Sequence, residues 1–450
     1  MKITLSNKAQ IQDGSPSILS EVKSRLTIVN PAWVENEKMG RWQGETPYNL
    51  RYYQETASGL IAPRGFFPQL IGIARKYGER FQIEDRRRIL PEVNFQFHGQ
   101  LRPFQEKAVK DLLFRDMGTL AAPTGSGKTV IALYLISQRK QPTLIITHTK
   151  ELLNQWASRI NQFLGIPLKE IGQVGDGERR IGKRITVALV QTLYKCSPKV
   201  FPHIGYLIVD ECHRTPARTF TEAVSAFDAR FTTGLSATPW RRDKLSKLIF
   251  WYVGNVVHEV SKESLIETGD VLPAEVVWRE THFLPNSDPQ TEYSTMLSEL
   301  TEDHSRNQLI ARDVAKEAGN GGGICLVLSD RKTHCSTLQN LLSQYGIKSE
   351  VLTGDLPDEE RKVLVEALNS GQVKVLIATG QLIGEGFDCK ELSTLFLTTP
   401  IKFDGRLIQY LGRVLRPAPG KDKARIYDYV DKFVGVLNAA ATGRWRVYGS

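Results

Sequence analysis

Ala121-Ala122-Pro123-Thr124-Gly125-Ser126-Gly127-Lys128-Thr129 is the stretch on which the fold of this chain turns. It follows a short apolar approach, Gly118-Thr119-Leu120, and opens the helical run Val130 to Gln138. Glycines allow backbone amides to turn inward around phosphate oxygens, and a helix N-terminus adds its partial positive charge. Pro123, Thr124, Gly125, Ser126 and Gly127 would form that cradle. Lys128 would pair with the β and γ phosphates of a nucleotide, and the Thr129 hydroxyl would hold Mg²⁺. The pattern departs from the strict phosphate-loop form in one place, with Ala122 where the first glycine is expected. The bland alternative is a glycine-rich turn between a strand and a helix.

Downstream, Leu207-Ile208-Val209 is an apolar strand ending in Asp210-Glu211-Cys212-His213. Two adjacent carboxylates then stand at the C-terminal edge of a parallel sheet, where ligands of such sheets bind. Asp210 would hold Mg²⁺ through its water shell, and Glu211 would orient and deprotonate an attacking water. Upstream, Leu101-Arg102-Pro103-Phe104-Gln105 precedes the loop by about a helix, and a glutamine there can read both donor and acceptor on an adenine edge. Far downstream, Gln409-Tyr410-Leu411-Gly412-Arg413-Val414-Leu415-Arg416 places two arginines three apart, on one face if the run is helical. Both guanidinium groups could then reach one phosphate, and hydrolysis would require a second domain to close on the first. The nucleotide this set implies is ATP with Mg²⁺.

Aliphatic and β-branched runs recur between helix-like stretches at Thr143 to Thr147, Ile185 to Val190, Tyr206 to Val209, Gly323 to Leu328 and Val373 to Ala378. Short strands spaced by helices predict parallel α/β sheets with both faces covered. The alternation starts near Gln96 and restarts after Leu272, beyond the amphipathic stretch Val260 to Thr268 and the Gly269-Asp270 turn. The first 95 or so residues differ, being aromatic-rich (Trp33, Trp42, Tyr48, Tyr52, Tyr53, Phe66, Phe67) and broken by Gly and Pro, with one plausible helix from Pro68 to Tyr77 ended by Gly78. The expected organisation is a small separate α+β domain over 1–95, then α/β parallel-sheet domains over 96–271 and 272–450.

A net charge of +10 over 450 residues favours a polyanionic partner, since Lys and Arg laid along phosphates release condensed counterions. Cys196, Cys212, Cys325, Cys335 and Cys389 are scattered without a CxxC pair, so structural zinc is not expected. No segment approaches 18 uninterrupted apolar residues, and the N-terminus lacks a signal-type apolar core, which predicts a cytoplasmic protein, in the host cytoplasm if viral.

In order along Leu101 to Pro417, these residues resemble the motifs of the superfamily-two helicases and translocases. Gln105 matches the Q motif, Ala122 to Thr129 motif I, Thr147 to Trp156 motif Ia and Asp210 to His213 motif II. Ser236-Ala237-Thr238 match motif III, Leu326 to Asp330 motif IV, Thr379 to Asp388 motif V and Gln409 to Arg416 motif VI. The resemblance implies two tandem RecA-like domains. It further implies that Arg102 and Gln105 meet the base, that Gly386 and Asp388 lie near the sugar and phosphates, and that Thr147 and Thr379 contact the nucleic-acid backbone. His213, Ser236, Thr238 and Gln409 would couple hydrolysis to domain motion. Leu152-Leu153-Asn154-Gln155-Trp156, the Asp-Glu-Cys-His box, Gln409 in place of a histidine and the strand Tyr427 to Asp431 look like the XPB, restriction-motor and UvsW branch. That branch acts on DNA, and its small phage-type members, which remodel forks and four-way junctions, carry a short duplex-binding domain ahead of the motor. In this chain Arg41, Arg51, Arg64, Arg75 and Lys76 would grip phosphates there, and a monomer is expected.

Three other readings compete. One is an RNA helicase, one an ATP-gated clamp that closes on nucleic acid without unwinding it. The third is a nuclease-coupled motor, suggested by the weak pattern of Asp13 with Glu21-Val22-Lys23.

Overall fold

The computed structural model describes residues 1–450 except 197–202, 214–216, 238–244, 321–322, 381–388, 390, 402–403, 419 and 449–450. Two compact units emerge: Met1–Ala122 with Gly127–Val260, and Ser261–Ser450 with Pro123–Ser126. The division falls ahead of the expected boundary after Val271. The reason is local: Asp270 and Val271 donate backbone bonds to Leu265 O (2.8 and 3.0 Å), and Leu272 donates to Leu415 O (2.8 Å), so the helix Lys262–Glu267 and its turn belong to the following unit.

The first unit begins with β1 (Lys2–Leu5), β2 (Lys8–Gln12), β3 (Thr27–Val29), β4 (Asn49–Arg51), β5 (Gln54–Thr56), β6 (Gly59–Pro63) and β7 (Gln82–Asp85). Five of these form a sheet in the order β5-β6-β2-β1-β7, antiparallel except for the β1–β7 pair, while β3 and β4 pair separately. The alternation in Lys2-Ile3-Thr4-Leu5 and Lys8-Ala9-Gln10-Ile11 sends Ile3, Leu5, Ala9 and Ile11 to one buried face, as a period of two requires. Strands β2 and β6 approach so closely that a Cβ on Gly59 would lie 2.1 Å from Ile11 O. The predicted helix is present at Phe67–Lys76, with Tyr77 capping it and Gly78 at φ +65°.

The α+β character of this segment matches expectation, and its core is completed from farther along the chain. Ile3, Ile11, Leu60, Phe66 and Leu70 share one core with Leu245, Leu248 and Trp251, the last two on the helix Ser246–Tyr252. Burying those apolar faces against each other makes the segment part of the first unit.

Beyond it lie β8 (Met117–Ala121), β9 (Thr143–Thr147), β10 (Gly172–Gly175), β11 (Glu178–Arg180), β12 (Ile185–Leu189), β13 (Tyr206–Val209), β14 (Phe231–Ser236) and β15 (Val256–Glu259). They form a sheet in the order β11-β10-β12-β9-β13-β14-β8-β15, parallel except at the β10–β11 hairpin. Every residue of β9 and β13 is buried, which explains their unbroken apolar or β-branched character. The register sets Ser236 opposite Ala121 and Val209 opposite Gly234, so the C-terminal ends of β8, β14 and β13 finish side by side.

The second unit holds β16 (Ala274–Glu280), β17 (Ile324–Ser329), β18 (Ser349–Leu352), β19 (Val375–Thr379), β20 (Leu392–Leu397) and β21 (Ala424–Val430). Among the described residues they form an all-parallel sheet in the order β16-β21-β20-β17-β19-β18. Cys325, Val327, Ile377, Phe396 and Tyr429 from four of these strands fill its core with Leu338 and Leu342 of the helix Lys332–Gln344. Both expected parallel α/β sheets are thus present. No helix among the described residues is long and apolar enough to cross a membrane.

Candidate active site

Strand β8 runs into the loop that carries the phosphate-binding pattern, and the helix Lys128–Arg139 leaves it. Gly125 and Gly127 adopt φ of +93° and +78°, conformations that L side chains rarely take, so the glycines are there for the backbone path. Gly127 is further constrained, because a Cβ at that position would lie 2.5 Å from Gln105 Nε2. Ser126 donates its hydroxyl to Pro123 O (2.7 Å), closing the loop on itself. The Lys128 ammonium folds back to donate to Ala122 O (3.0 Å) and lies 3.9 Å from Glu211 Oε1.

Asp210 and Glu211 follow β13. Asp210 is buried, with Oδ2 accepting from Trp156 Nε1 (2.7 Å) and Oδ1 accepting from the Glu211 backbone N–H (3.0 Å). Burial, helped by the charge of Glu211, pushes the Asp210 carboxyl up to about 6 against the opposing pull of Trp156 and Lys128. Glu211 sits at φ +44°, a region a non-glycine residue occupies at some cost. That backbone turn lifts the second carboxylate off the strand line toward Lys128 and His213. His213 Nδ1 is 3.4 Å from Glu211 Oε2 and 2.9 Å from Ser236 Oγ, whose own backbone carbonyl accepts from Ala122 N (2.9 Å). One connected set therefore joins the phosphate loop, the Asp-Glu pair and the end of β14.

The residues fit a nucleotide with its Mg²⁺. Two left-handed glycines open the loop at the head of a helix, a lysine stands at its base, and a buried carboxylate sits at the adjacent strand end. Mg²⁺ takes one or two protein oxygens and completes its shell with phosphate and water. Thr129 and Asp210 are the residues that would hold it.

Other expected residues fall differently. Gln105 Oε1 accepts from the Arg102 backbone N–H (3.0 Å), as the N3 side chain of a capping box does, while its Nε2 lies against Gly127. In this arrangement Gln105 braces the loop, and Arg102 is exposed at the helix start. Thr147 is 1% exposed and turned toward Ala188 O, so the expectation that it touches a nucleic-acid backbone is corrected. Thr379, at the end of β19, is only half-buried. Thr238, Gly386 and Asp388 lie outside the described residues, as does the side chain of Gln409.

The helix of the motif VI region spans Asp404–Val414, so Arg413 closes it and Arg416 falls in the turn beyond. The shared helical face expected for the two arginines is therefore corrected. Lys421 holds this turn: its ammonium donates to Arg416 O (2.8 Å) and to the carbonyls of Val414 and Leu392. Burial lowers Lys421 to about 8.

Arg64 requires the sharpest correction. It is 1% exposed, and its guanidinium donates to Phe227 O (3.1 Å), Ala229 O (2.9 Å) and Thr232 Oγ1, so it is a buried strut and cannot grip phosphate. Arg41, Arg51 and Arg75 are exposed, whereas Lys76 pairs with Glu21 (2.9 Å). Glu21, the carboxylate of the weak nuclease pattern, is held down to about 2 chiefly by Lys76.

Two residues escaped the reading of the sequence. Trp156 entered the sequence reading only as the end of motif Ia, with no role of its own; a buried indole N–H needs an acceptor, and Asp210 is that acceptor. Lys421 stands in an ordinary charged stretch with no local signal of its role.

Comparison with known proteins agrees with this geometry. Residues 98–241 match the family "Type III restriction enzyme, res subunit", and residues 306–418 match "Helicase conserved C-terminal domain". The chain is 28% identical to the "Probable helicase D10" of Escherichia phage T5, over 72% of this chain and 70% of that protein. It is 26% identical to the "DNA 3'-5' translocase XPB2" of Sulfurisphaera tokodaii, over 78% of this chain and 86% of that protein. The solved helicase domain of Pyrococcus furiosus Hef superposes with a TM-score of 0.52 at 15% identity, over 76% of this chain and 98% of that domain, which bears on the fold. With two helicase modules matched in this order and two parallel sheets to carry them, the chain carries the paired helicase modules of the superfamily-two helicases and translocases and is similar to an XPB-type translocase among them.

Proposed function

We propose that this protein is an ATP-dependent DNA translocase that moves 3′ to 5′ along one strand and remodels branched DNA. The observation that carries the ATP chemistry is the connected set Lys128, Glu211, His213 and Ser236 at three adjacent strand ends. Glu211 takes a proton from the attacking water, Lys128 neutralises phosphate charge, and the His213–Ser236 bond passes the state of that carboxylate to β14. The DNA preference and the polarity draw on the similarity to the archaeal translocase named above. The branched substrate draws on the N-terminal layer with exposed Arg41, Arg51 and Arg75, which the ATP site itself does not use.

The test is a stimulation panel, in which the ATPase rate is measured with single-stranded DNA, linear duplex, forks, four-way junctions and RNA. Forks and junctions are expected to exceed linear duplex and RNA. Equal stimulation by RNA and DNA favours the RNA helicase, and strand displacement driven by ATP binding without turnover favours the clamp. Removing residues 1–91 is not a clean test, since it would strip the partners of Leu245, Leu248 and Trp251.

Arg413 and Arg416 are proposed to act on transition-state charge during ATP hydrolysis. Arg413→Ala and Arg416→Ala are expected to cut turnover by about 10³-fold or more while leaving nucleotide affinity within a modest factor. Lysine at either position should not rescue, because a point charge lacks the planar fork. Full ATPase activity in both lysine variants would sink this assignment.

A further inference from the structure

Among the described residues, Trp42 is 90% exposed, more than any other large hydrophobic side chain. It stands in the connection between the helix Pro31–Lys38 and β4, and that connection is firmly built. Arg41 N donates to Asn36 O (2.9 Å), Gln43 Nε2 to Trp33 O (3.0 Å), and Thr46 N to Gln43 O (3.0 Å). Gly40 and Gly44 take φ of +60° and +53°, and a Cβ built on Gly44 would lie 3.2 Å from the Trp42 ring, so the indole rests on the loop's own glycine. The side chain is thus held out by a formed turn, with Arg41 exposed beside it.

The same small element carries further exposed apolar groups, Met39 (53%) and Tyr48 (52%), together with the exposed cations Lys38, Arg41 and Arg51 and the exposed carboxylates Glu35, Glu37 and Glu45. An exposed indole with a cation next to it in the chain, as Trp42 has in Arg41, is the chemistry that takes an unpaired nucleobase, with the ring stacking on the base and the cation holding a flanking phosphate. Such a post is tolerant of sequence, because every base presents a π-face.

We propose that Trp42 is a stacking post for an unpaired base at the branch point of the DNA, where it stabilises the opened step while the motor advances. This rests on the branched-DNA reading above. The alternative partner for an exposed indole is a protein, and the test separates the two.

Full-length wild type, Trp42→Ala and Trp42→Phe are compared by fluorescence anisotropy on a linear duplex, on a fork, and on the same fork with abasic sites at the branch. Stacking losses of this kind correspond to about 5- to 100-fold in affinity. Trp42→Ala is expected to weaken fork binding by a factor in that range, Trp42→Phe by much less, and neither should alter linear-duplex binding or single-strand-stimulated ATPase. On the abasic fork, wild type and Trp42→Ala should bind alike. Unchanged fork affinity in Trp42→Ala, or the full loss persisting on the abasic fork, overturns the proposal, the former pointing to a protein partner. A wild type that does not distinguish fork from linear duplex overturns the branched-DNA reading instead.

Discussion

Glu211→Gln is expected to lower ATP hydrolysis by roughly 10²- to 10⁴-fold while leaving nucleotide affinity close to that of the wild type. The substitution keeps the size and shape of the side chain at the strained φ of +44°, but removes the group that can accept a proton from water. Losing the charge beside Asp210 also has a definite sign. Burial is the main cause of the rise of the Asp210 carboxyl to about 6 and the Glu211 charge adds to it, so neutralising Glu211 lets Asp210 fall only part of the way back toward the ordinary carboxylate range. Lys128→Ala works by another route. It leaves Asp210 and Glu211 as two acidic groups without the cation 3.9 Å away, so phosphate binding weakens along with turnover. Nucleotide titration and single-turnover hydrolysis separate the two variants. Near-normal ATPase in either one would dismantle the site.

Arg64→Met should destabilise the first unit by roughly 3–5 kcal/mol, since it strips the charged donor from two buried carbonyls and the Thr232 hydroxyl and leaves them in a dry core. For a unit of this size that corresponds to a fall of about 6–20 °C in the midpoint of its calorimetric transition. Arg64 is buried deeply enough that its pKa drops to about 10, yet it remains charged at neutral pH, so the loss is one of a cationic, three-pronged donor. Arg64→Lys should recover only part of it, because an ammonium cannot reach carbonyls at Phe227 and Ala229 with the same planar geometry. If Arg64 gripped DNA instead, the methionine variant would keep its thermal midpoint and lose only salt-sensitive binding.

These two residues mark what could and could not be read in advance. The phosphate loop and the Asp-Glu pair were legible because their chemistry is local: glycines at left-handed positions, a lysine at the head of a helix, carboxylates directly after an apolar strand. The parallel sheets were legible for a similar reason, since strands buried on both faces must be continuous apolar or β-branched runs. Boundaries held to within a residue or two at Thr143–Thr147, Tyr206–Val209 and Ile185–Leu189.

Arg64 was misassigned because an arginine in a basic, aromatic-rich segment carries no mark of burial. Its partners are backbone carbonyls more than 160 residues away, and carbonyls have no signature in a sequence. The full core of the N-terminal segment was out of reach for the same reason, because Leu248 and Trp251 complete it from far along the chain. Trp156 and Lys421 belong to this class too, each reading as ordinary until a distant group, Asp210 in one case and Leu392 O in the other, faces it. What the sequence determined by itself was what lies within a few residues: the glycine turns at the head of the helix, the paired carboxylates after the apolar strand and the α/β class. Only the tertiary structure decided which polar side chains are struts and which face solvent, because that depends on long-range burial, where an unpaired donor or acceptor is costly enough to select its partner wherever in the chain it lies.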